Sequence, residues 1–329
     1  MNNAFTRERY DRGFPHGIMF HRFHDSHEND QSQGALTSDE FERILLHVGI
    51  ENIRSPQEWV SRLESNRLDK SDLCITFDDG LRSQAEYALP VLNRYGLLAF
   101  WFIYSSVFQG TPLKSEVYSQ AAGQMGGMSV LIEEFLDRYP PDICDQLNSD
   151  EFMAYVNMMR EEAPFYSSND LKYRFLRGMP QNKHSFEGHM DQIIKEHGID
   201  LDEVSRRLWL TEADLKSLTG RGHYVGLHSY DHPYALARLT YEEQLQQYEM
   251  NYAHIFAATQ QKPSWVAHPL NSYNEHSLSV LQRLGVRCGF RANMLPPSSS
   301  QHINPHCLEL AREDAVNILS EMKDPSPRL

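Results

Sequence analysis

Short runs of apolar residues alternate with longer segments of helical periodicity, and this alternation limits the possible folds of the chain more than any other feature. Runs at residues 17–23, 72–77 and 98–104 predict three buried strands. The segments between them place apolar residues three or four positions apart, as amphipathic helices do. Further runs at 224–227, 264–267 and 287–290 repeat the pattern. The alternation predicts an α/β fold with parallel strands, arranged as a sheet or a barrel.

The pattern is interrupted between residues 105 and 207, where no convincing buried strand is found. Helix-like pieces at 129–138, 151–161 and 188–197 are separated by prolines. Because roughly one hundred residues are too many for a loop without structure of its own, we interpret this stretch as a helical insertion. The predicted domains are therefore a barrel or sheet from residues 1–104 and 208–329, and an inserted helical cap, 105–207, over the active site.

Helix boundaries are predicted from capping residues. Ser38 is the predicted N-cap of the first helix, and Thr211 is the predicted N-cap of the helix at 211–219. The segment from residue 318 to the end has no clear pattern and is predicted to be frayed.

The composition excludes several classes of protein. The formal net charge of -14 disfavours general binding to nucleic acid, because an acidic surface repels the phosphate backbone. The chain has four cysteines with no C-x-x-C pair, which is compatible with reduced thiols in the cytoplasm. It has no long apolar segment, and its first residues do not resemble a secretory signal. We therefore expect a cytoplasmic protein with no membrane span; no pattern indicates its oligomeric state.

A pair of adjacent carboxylates, Asp78 and Asp79, follows the second predicted strand and precedes Gly80. Side chains alternate in direction along an extended chain, so one carboxylate can bind a metal ion while the other faces a substrate. Gly80 permits a sharp exit from the strand. The simpler alternative is that one aspartate caps the next helix.

Two histidines four residues apart, His228 and His232, follow the strand predicted at 224–227. On one helical turn this spacing brings two imidazoles to the same side, as in many metal sites. In a chain with 16 histidines, such a pair can also arise by chance on the surface.

A third polar cluster follows the strand predicted at 264–267 and reads WVAHPLNSYN over residues 265–274. A strand that leads into Pro269 and a polar turn would form one wall of a pocket. Pro269, Asn271 and Tyr273 are therefore the predicted substrate contacts. In a barrel the carboxyl ends of the strands converge on one face, so the three clusters are expected to meet there.

Together these residues resemble the motifs of the polysaccharide deacetylase family, the NodB-homology group of carbohydrate esterases. The segment TFDDG at 76–80 matches the first motif of the family, and HSYDH at 228–232 fits its H-(S/T)-x-x-H motif. The segment AHPLN at 267–271 replaces the usual Arg-Pro-Pro-Tyr-Gly and lacks its arginine. The resemblance covers roughly residues 15–104 and 208–313, and it implies a distorted (β/α) TIM-like barrel with a helical insertion.

The resemblance implies a metal-dependent N-deacetylase acting on an amino sugar or a glycan precursor. Asp79, His228 and His232 would bind one divalent ion, and Asp78 would be the general base. The ion would lower the pKa of a bound water and polarise the acyl carbonyl. Two imidazoles and a carboxylate suit zinc, although cobalt, nickel or iron would fit the same ligands. The preferred substrate group is N-acetyl.

The group that protonates the leaving amine is not identified by the resemblance. His306 and His302 lie in the region where the family usually has a histidine, but neither matches its Leu-x-His motif cleanly. His21, at the end of the first predicted strand, is ranked before His306. Because the third-motif arginine is missing, Asp78 needs another partner, for which His268 and Arg312 are the candidates.

Two other functions remain open. The same scaffold could hydrolyse a non-polymeric amide, such as an N-formyl sugar or a cyclic amide, with the insertion selecting a compact substrate. A catalytically silent carbohydrate-binding relative is the other alternative. Such proteins tend to lose the base or a metal ligand, whereas all four positions are filled here.

Overall fold

Seven short parallel strands form one sheet in the order β6-β5-β4-β3-β2-β1-β7. The computed structural model describes residues 10–25, 34–138, 145–162, 166–179 and 183–323. The strands are β1 (His16–Phe20), β2 (Leu73–Phe77), β3 (Ala99–Ile103), β4 (Tyr224–Leu227), β5 (Trp265–Ala267), β6 (Cys288–Phe290) and β7 (Arg312–Asp314). The first six coincide with the apolar runs of the sequence, although β1 begins one residue before its run. The seventh was not predicted, because its three residues Arg-Glu-Asp contain no apolar position.

The sheet closes into a barrel through the two residues that precede β7. The backbone N–H of Leu310 donates to the carbonyl of Gly289 at 2.9 Å, and that of Arg291 donates to the carbonyl of Leu310 at 2.8 Å. These bonds join the segment to β6. The N–H of Gly17 donates to the carbonyl of Ala311 at 3.0 Å, which joins the same segment to β1. The expected distorted (β/α) barrel is therefore confirmed, with seven strands.

Thirteen α-helices accompany the strands in the described residues. Three belong to the first half of the barrel: α1 (Ser38–Val48), α2 (Pro56–Glu64) and α3 (Leu89–Tyr95), the last preceded by a π-helical turn, Gln84–Ala88. Six lie between β3 and β4: α4 (Lys114–Gln124), α5 (Met128–Arg138), α6 (Asp150–Glu162), α7 (Ser168–Arg177), α8 (Lys183–Glu196) and α9 (Leu201–Leu208). Four follow: α10 (Glu212–Gly220), α11 (Tyr241–Thr259), α12 (Glu275–Arg283) and α13 (Ala315–Lys323). None of these described helices combines the length and apolar character needed to cross a membrane.

Two local predictions about helix ends were wrong, and a third is confirmed. The N-cap of α1 is Thr37 rather than Ser38: the hydroxyl of Thr37 accepts from the N–H of Glu40, whose carboxylate accepts from the N–H of Thr37. This reciprocal pair satisfies two free N–H groups of the first turn. Residues 318–323, predicted to be frayed with the rest of the C-terminus, belong to α13, and Ile318 is fully buried; residues 324–329 lie outside the described residues. Thr211 does cap α10 as predicted.

The barrel core consists of aliphatic and aromatic side chains on both faces of the strands. Every residue of β1, β2 and β3 is buried, as expected for parallel strands covered by helices. Phe77 stacks on Trp101 of the next strand with ring centroids 4.4 Å apart, and Phe20 meets Phe41 of α1 edge to face at 4.8 Å. Burying each such side chain contributes roughly 1.5–3 kcal/mol, so we expect the barrel to fold without a ligand at its mouth.

The helices between β3 and β4 have an apolar core of their own. It includes Phe135 of α5 and Phe186 of α8, whose ring centroids are 4.8 Å apart, together with Ile194. This stretch is helical, as its sequence indicates. The domain limits at 104/105 and 207/208, and the function of this stretch as a cap, stay predictions.

His223 predicts how the stability of the barrel depends on pH. Its Nδ1 accepts a hydrogen bond from the N–H of Ala99 at 3.1 Å, which requires an uncharged ring. Burial lowers the pKa of His223 from 6.5 to about 4. As the pH falls, His223 therefore binds a proton in the unfolded chain at a higher pH than in the folded chain. Its contribution to stability is complete above pH 6.5 and is lost as the pH drops towards 4. We expect His223 to account for a loss of about 3 kcal/mol in the free energy of unfolding across that range.

Urea denaturation at a series of pH values measures this effect. In His223→Asn, the amide oxygen can still accept from Ala99 but does not titrate, so the free energy of unfolding should fall less steeply below pH 6.5. Part of the slope should remain, because burial also lowers the pKa of His16 to about 4. The exposed His302 provides the control, and His302→Asn should leave the slope unchanged. Equal slopes for His223→Asn and the unmodified protein would contradict the prediction.

Candidate metal and catalytic site

Asp79, His228 and His232 meet at the carboxyl ends of β2 and β4, as the sequence predicts. Oδ1 of Asp79 lies 3.5 Å from Nε2 of His228 and 3.6 Å from Nε2 of His232. All three side chains are buried, and their ligand atoms lie within 4.8 Å of one another. Three side chains that are far apart in the sequence thus point their donor atoms at one small volume.

Hydrogen bonds fix the orientation of His228. Its Nδ1 lies 2.8 Å from the carbonyl oxygen of Ala267, so Nδ1 carries the proton and Nε2 presents its lone pair to Asp79 and His232. The N–H of His228 donates to Oδ1 of Asn251 at 3.0 Å. The amide of Asn251 in turn donates to the carbonyl of Ile103 at 2.9 Å, which ties the ends of β3 and β4 together.

The three residues fit a divalent cation. Oδ1 of Asp79 is buried and accepts no hydrogen bond from the described residues. Burial disfavours the charged form of Asp79, but the imidazoles of His228 and His232 outweigh this effect and hold its pKa below the usual value. A buried carboxylate without a hydrogen bond is costly unless a cation balances it. One carboxylate and two imidazoles form a donor set that zinc and similar ions accept, with positions left for other ligands.

The backbone around the site is held in a conformation that non-glycine residues rarely adopt. The φ angles of Asp79, Ser229 and His232 are +74°, +63° and +53°, all in the left-handed region. Such residues cost of order 1–3 kcal/mol each and cluster at functional sites, where the surrounding structure imposes them. The surrounding structure thus imposes an unfavourable backbone conformation on two of the three candidate ligands, Asp79 and His232.

A substitution at Gly80 tests this local geometry. Its φ is +68°, and a Cβ atom there would lie 2.9 Å from Cδ1 of Ile103. We expect Gly80→Ala to lower the free energy of unfolding by about 2–4 kcal/mol, the sum of the left-handed backbone and the overpacking. Gly96→Ala is the matched control, because its φ is +63° but nothing lies within 4 Å of the added atom. Urea denaturation should give a loss of about 1 kcal/mol for the control; equal losses would show that Ile103 moves aside freely.

Asp78 is paired with Arg312, one of its two candidate partners. Nη1 of Arg312 donates to Oδ1 of Asp78 and Nη2 donates to Oδ2, both at 2.7 Å, and both side chains are buried. Burial disfavours the charged form of Asp78, but the guanidinium outweighs it and lowers the pKa of this carboxyl. His268 is not the partner: its Nε2 lies 2.8 Å from the carbonyl oxygen of Leu308. Arg312 of β7 thus provides the arginine partner of Asp78 that the third polar cluster lacks.

His21 and His306 lie at opposite ends of the barrel. Nε2 of His21 is 3.9 Å from Oδ2 of Asp78, and the side chain is 31% exposed, so it can reach both the base and a ligand. The chain after β6 runs back to the amino end of the barrel before β7 begins: Asn304 donates to the carbonyl of Pro15 just before β1, and Nε2 of His306 lies 3.5 Å from Nε2 of Gln282 at the end of α12. His306 is therefore remote from Asp78, and the geometry does not support it as a proton donor.

The predicted substrate contacts Pro269, Asn271 and Tyr273 form the turn after β5. Oδ1 of Asn271 accepts from the N–H of Ala292 at 3.1 Å, and the hydroxyl of Tyr273 donates to Glu309 at 2.9 Å. Pro269 is buried. These polar groups stabilise the turn itself, so contact with a substrate stays a prediction for all three residues.

Sequence reasoning missed an ion pair beside the site. Arg22 follows His21, and its guanidinium donates to Glu116 of α4 from Nε at 2.9 Å and from Nη2 at 2.5 and 2.6 Å. Its charge also interacts with Asp79. The pair attaches the helices between β3 and β4 to the mouth of the barrel. No local pattern predicts it, because 94 residues separate the partners.

Comparison with protein families matches residues 186–289 to the polysaccharide deacetylase model. The match includes the segment HSYDH and the turn after β5, and it begins within α8, inside the predicted insertion. The segment TFDDG lies outside it. A search of curated proteins found no match.

Two solved structures share the fold. The deacetylase PplD of Streptococcus pyogenes, in complex with acetate, is 16% identical with a TM-score of 0.52, over 95% of this chain and 99% of that one. The de-N-acetylase from Aggregatibacter actinomycetemcomitans is 12% identical with a TM-score of 0.50, over 92% and 95%. At these identities the likeness shows the fold alone, which is the deacetylase (β/α)7 barrel.

Proposed function

From the match of residues 186–289 to the polysaccharide deacetylase family, we propose that this chain is a metal-dependent hydrolase. It would remove an N-acyl group from an amino sugar or a glycan precursor. N-acetyl is the preferred group. The observation that carries the proposal is the convergence of Asp79, His228 and His232 with the ion-paired Asp78 beside them. Zinc is the first choice of metal ion, and the proposed location is the cytoplasm.

The residues of the site have separate tasks in the proposed reaction. A divalent ion held by Asp79, His228 and His232 would supply a Lewis acid for the amide carbonyl and would lower the pKa of a water. Asp78 takes the proton that this water loses as its oxygen attacks the carbonyl carbon. Both oxygens of Asp78 are engaged by Arg312, but each carboxylate oxygen has a second lone pair that can accept.

The leaving amine must gain a proton as the carbon–nitrogen bond breaks, because an amide anion is too basic to leave. His21 is the proposed donor, since it lies 3.9 Å from Asp78 and is partly exposed. The products are then a free amino sugar and acetate, and the proton balance is complete when Asp78 releases its proton to solvent and His21 takes one up from solvent.

Release of acetate from N-acetylated sugars tests the proposal. The zinc-loaded protein should release acetate from N-acetylglucosamine derivatives, and Asp78→Asn should lower kcat by about 10²–10⁴-fold. His302→Asn, on the exposed surface, should leave kcat unchanged. A parallel series with N-formyl sugars and cyclic amides separates the alternative substrates. Sugar binding by a fully metal-loaded protein without turnover of any of these amides would identify a catalytically silent relative instead.

A further inference from the structure

Helix α7 (Ser168–Arg177) carries two arginines towards the mouth of the barrel. The guanidinium of Arg177 lies over the ring of Tyr234, 4.8 Å from its centroid, and Tyr234 is the second residue after His232. The guanidinium of Arg174 lies 3.8 Å from the centroid of Tyr166. Both arginines are only partly exposed to solvent. Both are also close enough to the Arg22–Glu116 pair for charges to interact, Arg174 with Arg22 and Arg177 with Glu116.

Neither Arg174 nor Arg177 forms an ion pair or a hydrogen bond with a carboxylate of the described residues. Nε of Arg177 is buried and has no hydrogen-bond partner there. An aromatic face stacked on a guanidinium balances its positive charge only in part. The N–H donors lie in the plane of the guanidinium and still need hydrogen-bond acceptors. A buried donor without an acceptor is costly, which favours a further acceptor beside Arg177 in addition to the groups that the described residues provide.

Guanidinium groups are concentrated here although the chain as a whole is acidic. Among the described residues, Glu116 interacts with both Arg22 and Arg177, but Arg22 already binds both of its oxygens and also interacts with Asp79. Burial, together with repulsion from Arg177 and Arg22, lowers the pKa of Arg174. The formal net charge of the chain is -14, so this cluster is a local exception that would attract an anion.

We propose that Arg174 and Arg177 bind an anionic group, a phosphate or a carboxylate, that belongs to the same substrate whose amide is cleaved. This inference rests on the proposed function. The planar fork of a guanidinium matches both oxyanions through paired N–H bonds. A neutral polymer of amino sugars would leave both charges unpaired. The substrate class is therefore a phosphorylated or uronic-acid-linked amino sugar.

Binding of deacetylated products tests the inference without turnover. Calorimetry with the zinc-loaded protein would compare glucosamine 1-phosphate, glucosamine 6-phosphate and a glucuronic-acid-linked glucosamine with neutral methyl glucosaminide. We expect at least one anionic ligand to bind about 10–100-fold more tightly than the neutral one, from two charge-assisted contacts. Preference for the phosphates or for the uronic acid identifies the oxyanion.

Substitutions assign the preference to the two arginines. Arg177→Gln and the double variant Arg174→Gln/Arg177→Gln should reduce the ratio of anionic to neutral affinity towards one. Arg177→Lys should give an intermediate ratio, because it keeps the charge but loses the fork. Arg221→Gln, an exposed arginine at the end of α10, should leave the ratio unchanged. Circular dichroism would confirm that the variants fold.

The outcomes separate this inference from the proposed function. Equal affinity for all four ligands, or a preference that survives in the double variant, overturns the inference even if acetate is released from N-acetylated sugars. An arginine-dependent preference without any release of acetate supports the anion site and overturns the hydrolase instead.

Discussion

Replacement of Arg312 with methionine should both destabilise the barrel and nearly abolish hydrolysis. The substitution leaves Asp78 buried and charged without its bidentate partner, and breaking a buried pair in this way costs about 3–5 kcal/mol. An unpaired Asp78 also loses the two hydrogen bonds that hold its carboxylate in place, so kcat should fall by about 100-fold or more. Urea denaturation and acetate release measure the two effects.

The double variant Asp78→Asn/Arg312→Met distinguishes an ion pair from simple loss of packing. Once Asp78 is neutral, removal of the guanidinium no longer leaves a buried charge, so the double variant should be more stable than Arg312→Met alone. Both variants should be inactive. If adding Asp78→Asn to Arg312→Met restores no stability, the ion pair is not the cause of the loss. The side chain of Arg312 would then stabilise the barrel through packing alone.

Replacement of His228 with alanine should remove the metal ion and lower turnover by about 10³-fold or more, while leaving the fold intact. Two remaining ligands do not complete the site, and without the ion the carbonyl is no longer polarised. The barrel core lies below the site and consists of apolar side chains. We therefore expect the free energy of unfolding of the variant to match that of the metal-free protein within about 1 kcal/mol.

Metal content by mass spectrometry and acetate release measure the effect of His228→Ala. His254→Ala is the matched control: His254 is a partly buried histidine whose Nδ1 lies 3.1 Å from Oγ of Ser105, and it is not among the three candidate ligands. The control should keep both the ion and the activity. Global unfolding of the metal-free protein would instead indicate that the ion is structural.

Six of the seven strands and the convergence of the candidate metal ligands could be predicted because their signals are local. Six strands appear as apolar runs, and the segments TFDDG and HSYDH sit at strand ends where a barrel gathers its chemistry. His21 was identified for the same reason, since it follows β1 directly. Each of these inferences needs only neighbouring residues, because periodicity and strand position are properties of a short window.

Contacts between distant segments were decided by the tertiary structure alone. β7 is three charged residues long, so no window marks it as a strand; it exists because β1 pairs Gly17 with Arg312 on one side and Cys74 on the other. That register carries Arg312 across the barrel to Asp78, 234 positions away. A Cβ atom at Gly17 would lie 3.0 Å from Cγ of Arg312, so the missing side chain makes room for the arginine.

The same reason explains the other differences. His306 was the second-ranked proton donor because of its place in the sequence, but the return of the chain to the amino end of the barrel takes it away from Asp78. The approach of Arg174 and Arg177 to the mouth depends on how the described helices between β3 and β4 pack against one another. The sequence by itself determined which residues can bind a metal ion and form strands, since those are local properties. Only the packed barrel decided which charges face one another, because electrostatic pairing depends on distance in space and not on separation along the chain.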